Sequence, residues 1–224
     1  MRQAWDVLFL KKQGPGKKLP LKRLEDTMDK VSLTYFIDFV LKSGTPKITG
    51  VKEYKEHKDD SFADFYRPIR EAIVEMHKLG LPLAKLDEIA RSEEDEKRRK
   101  HYPLVIAGYR HFLAEGPKSF FEPPRLALSL GALSLDVNPE LGLMIEGKPH
   151  LVKLYFRSEP LTPKRTALIL ALLSQAFCTT NPEMVPAVLE VRTGKLHTHA
   201  RTSGKVDVLL RGEAAAFASV YGAV

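Results

Sequence analysis

Residues 136–156 read DVNPELGLMIEGKPHLVKLYF. Two apolar runs, LGLMI over 141–145 and HLVKLYF over 150–156, flank Glu146-Gly147-Lys148-Pro149. Gly and Pro between two such runs mark a turn, so the spacing predicts an antiparallel hairpin. The next stretch, TPKRTALILALLSQAF over 162–177, predicts a long helix with a wide apolar face. Thr162 suits the N-cap and Pro163 the first helical position. A hairpin followed by a capped amphipathic helix implies a sheet with that helix packed on it.

Outward from this segment the β character continues. LALSLGALSLDV, 126–137, predicts a strand buried on both faces or broken at Gly131. VPAVLEVRTGKLHTHA, 185–200, predicts a second hairpin around Thr193-Gly194. GKVDVLLRG, 204–212, reads as a further strand, and EAAAFASVYGAV as a short closing helix.

The front of the chain reads as helical. Residues 21–42 place Leu24, Met28, Val31, Tyr35 and Phe39 in one stripe, ended by Gly44 and Pro46. VKEYKEHKDD, 51–60, reads as a charged connector. A second helix is expected over 61–80, kinked at Pro68 or starting there. The run RSEEDEKRRK, 91–100, sets acids three to four residues before bases, which suits a solvated helix. Pro103 is expected to open another helix, and FFEPP at 120–124 to form a rigid junction. The expected class is α+β: an N-terminal helical region, then a mainly antiparallel sheet with one long helix packed on it. The divisions are a basic flexible arm at 1–20, a helical region at 21–120 and an α+β sheet domain at 125–224, the last two separate or continuous.

Composition bounds the function classes. In 224 residues, 44% hydrophobic and 28% charged are the proportions of a folded globular protein. No apolar run is long enough to span a bilayer, and the N-terminus lacks a secretory cleavage pattern. Cys178 is the only cysteine, which excludes an internal disulfide and a cysteine-built zinc site. A cytoplasmic location is the simplest expectation. No P-loop or dinucleotide turn is present, so cofactor chemistry of those kinds is not expected. His197 and His199 alternate on an expected strand, a two-imidazole arrangement with no evident third ligand.

The net charge is +7, with a pI of about 9.4. Six basic residues, Lys11, Lys12, Lys17, Lys18, Lys22 and Arg23, fall between positions 11 and 23 with no acid among them. From Gly147 onward ten Lys and Arg face five Asp and Glu. Positive charge of this kind favours polyanions, nucleic acid first. The competing expectation is a non-catalytic interaction module that binds a protein partner through its helical region.

Asp136, Glu140, Glu146, Lys148 and Lys153 all fall within the hairpin segment, and Glu190 lies on a later strand. Asp136 followed by Glu146-Gly147-Lys148 resembles the PD-(D/E)XK signature of restriction-type nucleases over residues 125–200. The resemblance implies a core of helix, three strands, helix and strand. It also implies a magnesium-dependent phosphodiesterase using Mg2+ or Mn2+, with Asp136 and Glu140 as metal ligands. Hard divalent ions take carboxylate oxygens and stabilise charge building on a phosphoryl group. In that family the acid and lysine sit two apart inside a strand, on one face. Glu146 and Lys148 are expected in a turn, so Lys153 is the alternative lysine. Leu151 then occupies the acid's position, and the second carboxylate must come from elsewhere, Glu190 being a candidate. Either the motif is displaced or one acid is missing.

Overall fold

The structure is a computed structural model that describes residues 30–57, 64–198 and 204–224. The basic arm and His199 lie outside the described residues. Strand β1, Val31–Ser32, leads into helix α1, Leu33–Leu41. The Ser32 hydroxyl caps α1 by accepting from the Tyr35 N–H at 3.3 Å. Helix α2, Thr45–His57, occupies most of what the sequence marks as a charged connector. Pro46 falls in its first turn, where proline initiates a helix rather than ending one; Gly50 and Val51 are its buried residues, and Tyr54 packs against the core beside them.

Helix α3, Arg67–Leu79, carries Pro68 in its first turn, so the proline belongs to the helix start and does not kink it; the helix ends at Gly80 with φ 62°. Helix α4, Ala84–Ser92, is followed by helix α5, Glu96–Ala114. Asp95 caps α5 through its carboxylate, which accepts from the Arg98 N–H at 2.8 Å. Pro103 does not open this helix but lies inside it. Pro103 cannot donate to the Arg99 carbonyl one turn back, and both residues lie on the exposed face of the helix.

The strands form two sheets. The smaller has the order β1-β4-β3, with β3 Leu126–Leu130 and β4 Leu133–Val137 joined at Gly131. The larger has the order β2-β5-β6-β7-β8. Its strands are β2 Lys118–Phe121, β5 Leu141–Ile145, β6 Lys148–Tyr155, β7 Val185–Glu190 and β8 Lys195–His197. FFEPP therefore begins as a strand and not as a junction. Four pairings are antiparallel; β1 with β4 and β6 with β7 are parallel. A parallel pair needs a crossover, and helix α6, Pro163–Leu173, with a π-helical turn at Ser174–Cys178, provides it. Thr162 caps α6 by accepting from the Arg165 N–H at 3.2 Å.

The segment read as a last strand, 204–212, is instead the first half of helix α7, Gly204–Ala223. Leu210, Ala214 and Phe217 are fully buried at helical spacing, whereas Val208 is 73% exposed. The alternation in KVDVLL imitated a strand, but the packing seam has period 3.6.

Strand β6 explains the layering. Leu151 and Tyr155 belong to a core shared with α1, α6, α7 and the small sheet. Val152 and Leu154 belong to a second core shared with α3, α4 and α5. The larger sheet is thus covered on both faces, which is why its central strands are continuous apolar runs. Both cores draw residues from the helical front and from the sheets. No helix of the described residues is long and apolar enough to cross a membrane.

Candidate functional site

The turn of the central hairpin sets the site. Its two turn residues are Glu146 and Gly147, with φ 51° and 74°. This is a two-residue loop with both residues left-handed, the form that matches strand twist. Lys148 and Pro149 are therefore in β6, paired with Ile145 and Met144. Leu141 pairs with Val152, and the Glu140 N–H donates to the Val152 carbonyl at 3.0 Å. One step further along this register, Glu140 stands opposite Lys153.

The Glu140 carboxylate is held twice. Lys153 Nζ lies 2.5 Å from Oε1, and the Leu154 N–H donates to Oε2 at 2.8 Å. The two side chains are only 13% and 15% exposed. Lys153 Nζ also reaches the Asn138 carbonyl at 3.3 Å, and the Asn138 amide donates to Asp136 at 2.5 Å. Asp136, Asn138, Glu140 and Lys153 thus form one connected polar network. Asn138 Oδ1 is inaccessible to solvent and has no hydrogen-bond partner among the described residues.

This network lies on the wall of a cleft of about 1220 Å³, bounded by α1, α3, β4, β6 and the first turn of α6. A second carboxylate, Asp38 of α1, receives Arg157 and Arg165, the latter at 2.6 Å. It ties α1 to the end of β6 and to α6 across the cleft. Arg70 with Asp64, and Lys78 with Glu122, make further pairs on the α3 side. Arg125 lines the cleft, is exposed, and has no ion pair or hydrogen bond among the described residues. Burial pushes the Tyr155 hydroxyl up from its ordinary pKa, so it stays a protonated donor, to the Glu159 carbonyl at 2.9 Å. In the same way burial, with Glu53 nearby, pushes Tyr35 up to about 12.

Of the sequence-derived candidates, Asp136, Glu140 and Lys153 come together in this cleft. Glu146 and Lys148 do not: they are exposed at the hairpin tip. Glu190 does not either. Its Oε1 accepts from the Leu161 N–H at 2.8 Å and its Oε2 from the Thr193 hydroxyl at 2.9 Å, beside a separate, smaller cavity. The sequence reading missed Asp38, Asn138, Arg157 and Arg165. Asp38 had a signal, being the one acid in the apolar run LTYFIDFVL, and a buried carboxylate requires a cation. His197 stands apart, and burial lowers its pKa.

The donor set does not fit the divalent ion that the nuclease resemblance implies. Leu151, fully buried in the core, stands where the second acid of the motif belongs. The Lys153 ammonium already neutralises Glu140, which leaves Asp136 and the Asn138 oxygen. Among the described residues there is no group of three or more His, Cys, Asp or Glu that could hold a metal ion. No protein-family model, curated protein sequence or solved structure matches this chain.

Proposed function

We propose that this chain is a nucleic-acid-binding protein built on a PD-(D/E)XK nuclease-like core, which holds its polynucleotide without cutting it. The observation that carries the reading is the pairing of Glu140 with Lys153 at 2.5 Å on adjacent strands. Pro139-Glu140 opens β5 and Lys153 lies within β6, the places that an acid and a lysine of such a core would take. The connectivity lends support: α5, β2, β5, β6, α6 and β7 follow the order helix, three strands, helix, strand. The β3–β4 hairpin enters as an insertion between β2 and β5. Against cleavage stand Leu151 and the internal ion pair. The surplus of positive charge, +7 over the chain, favours a polyanionic partner.

The test has two readouts. Fluorescence anisotropy with labelled oligonucleotides is expected to show binding that weakens linearly with the logarithm of salt concentration. Replacing Lys11, Lys12, Lys17 and Lys18 with Ala is expected to make that slope shallower. Millimolar Mg2+ or Mn2+ is expected to leave the melting temperature within about 1 °C, since an ion that binds only the folded state must raise it. Metal-dependent cleavage by the parent protein, lost in Glu140→Ala, would replace this reading with an active nuclease. Absence of binding to any nucleic acid would discard it.

A further inference from the structure

The cleft beside Glu140 and Lys153 is close to charge balance. Six Lys and Arg side chains line it together with seven Asp and Glu. A duplex offers a protein surface mainly its phosphates, and needs a strongly positive groove to be held. This cleft lacks one, because nearly all its cations are engaged by neighbouring carboxylates. What it does have is aromatic surface. Tyr35, Tyr54, Phe65, Tyr66, Tyr155 and Phe156 all line it.

The rings are organised in pairs. Tyr54 stacks on Tyr35 with centroids 4.1 Å apart, and Tyr66 stacks on Phe156 at 5.3 Å and 15°. Phe65 braces Tyr66 edge-on at 4.8 Å. Tyr54 and Tyr66 each have a ring backed by a second ring, and both stay partly exposed at the cleft wall. Side chains fixed in this way lose little entropy when a flat group settles on them. Stacking of bases on aromatic rings does not depend on net charge and tolerates any base. The cations with capacity to spare lie along the same cleft. Asp38 supplies one carboxylate for the two guanidiniums of Arg157 and Arg165, and Arg125 has no partner among the described residues.

We infer that the cleft takes a single strand of DNA or RNA, with bases against Tyr54 and Tyr66 and phosphates at Arg157 and Arg125. The inference rests on the nucleic-acid reading above and narrows it to unpaired strands. Groups that stack are hidden inside a duplex and presented by a single strand, so the aromatic wall discriminates between them.

The experiment compares a fluorescein-labelled oligothymidylate of about 20 nucleotides, longer than the ~4–16-nucleotide footprint of such grooves, with a mixed-sequence duplex of the same length. The expected result is at least about tenfold tighter binding of the single strand. Tyr54→Leu/Tyr66→Leu is expected to weaken single-strand binding by at least about fivefold and to leave its salt slope unchanged. Arg125→Ala, at an exposed position that the fold does not need, is expected to lower the slope by about one. Circular dichroism of each variant separates a lost contact from a lost fold. Equal affinity for duplex and single strand in the parent protein would overturn the inference even if the tyrosine variant failed to fold. So would a folded tyrosine variant that binds like the parent. Either result leaves the broader nucleic-acid reading standing, whereas no binding to either probe removes both.

Discussion

Breaking the Lys153–Glu140 pair is the perturbation most sensitive to the site as described. Lys153→Met leaves a carboxylate that is 13% exposed, with one backbone N–H and no cation. An uncompensated charge in such a place costs about 3–5 kcal/mol. Glu140→Gln keeps an acceptor for the Leu154 N–H and leaves Lys153 with the Asn138 carbonyl, so about 1–3 kcal/mol is expected. The double variant removes both charges, and a buried pair replaced by neutral groups is often tolerated, at about 0–2 kcal/mol. The two losses therefore do not add. The double-mutant cycle is then expected to give a coupling of at least about 2 kcal/mol, and of about 5 kcal/mol at the middle of these ranges. Lys100–Glu96 on α5, with side chains 73% and 70% exposed, is the control, and its coupling should be about 0.3–0.5 kcal/mol. Urea unfolding followed by circular dichroism, extrapolated linearly to water, measures all four proteins. A loss below about 1 kcal/mol in Lys153→Met would refute the buried pairing, as would a coupling no larger than the control's.

The remaining expectations follow from close contacts and turns. Gly108 of α5 lies against the β7–β8 turn, where an added Cβ would come within 2.2 Å of the Val191 carbonyl oxygen; Gly108→Ala should cost upwards of about 3 kcal/mol in the same urea assay, and near-parent stability would contradict that approach. Glu146 holds φ 51° in a two-residue turn that favours Asn-Gly, so Glu146→Asn should stabilise the protein by up to about 1 kcal/mol, and a loss of stability would argue against the left-handed turn. Burial lowers the pKa of His77, which hydrogen-bonds the buried Tyr109 hydroxyl. The unfolded chain then binds more protons than the folded one below about pH 6.5, so the stability this group contributes is present above that pH and is lost as the pH falls. Melting temperatures taken from about pH 7.5 down to about pH 5 should fall more steeply in the parent than in His77→Gln, and parallel curves would refute the assignment.

The register of one hairpin separates what was legible from what was not. The apolar runs around 141–145 and 150–156 identify the hairpin, and Thr162-Pro163 identifies the start of the helix behind it. The sequence marks a turn over Glu146–Pro149, but the turn spans only Glu146 and Gly147. A four-residue turn would set Glu140 opposite Tyr155; the two-residue turn sets it opposite Lys153. No periodicity distinguishes these, because both keep the same side chains on the same face. The choice rests on whether Glu146 adopts a left-handed backbone, at a cost of about 1–2 kcal/mol that only the finished sheet can offset.

The α7 segment differs for a related reason. KVDVLL satisfies both a short strand and the first turns of a helix, and only the seat offered by α1, α2, α6 and the small sheet to Leu210, Ala214 and Phe217 decides between them. By itself the sequence determined the α+β class, the long capped helix after the hairpin, the acid at the head of β5 and the absence of an acid at Leu151. These follow from local propensity, capping and residue identity. The tertiary structure alone decided the two-sheet division, the parallel β6–β7 pairing, the joining of Asp38 with Arg157 and Arg165, and the aromatic wall of the cleft. Each of those brings together side chains far apart in the chain, and such meetings depend on which surfaces bury one another rather than on any short stretch of residues.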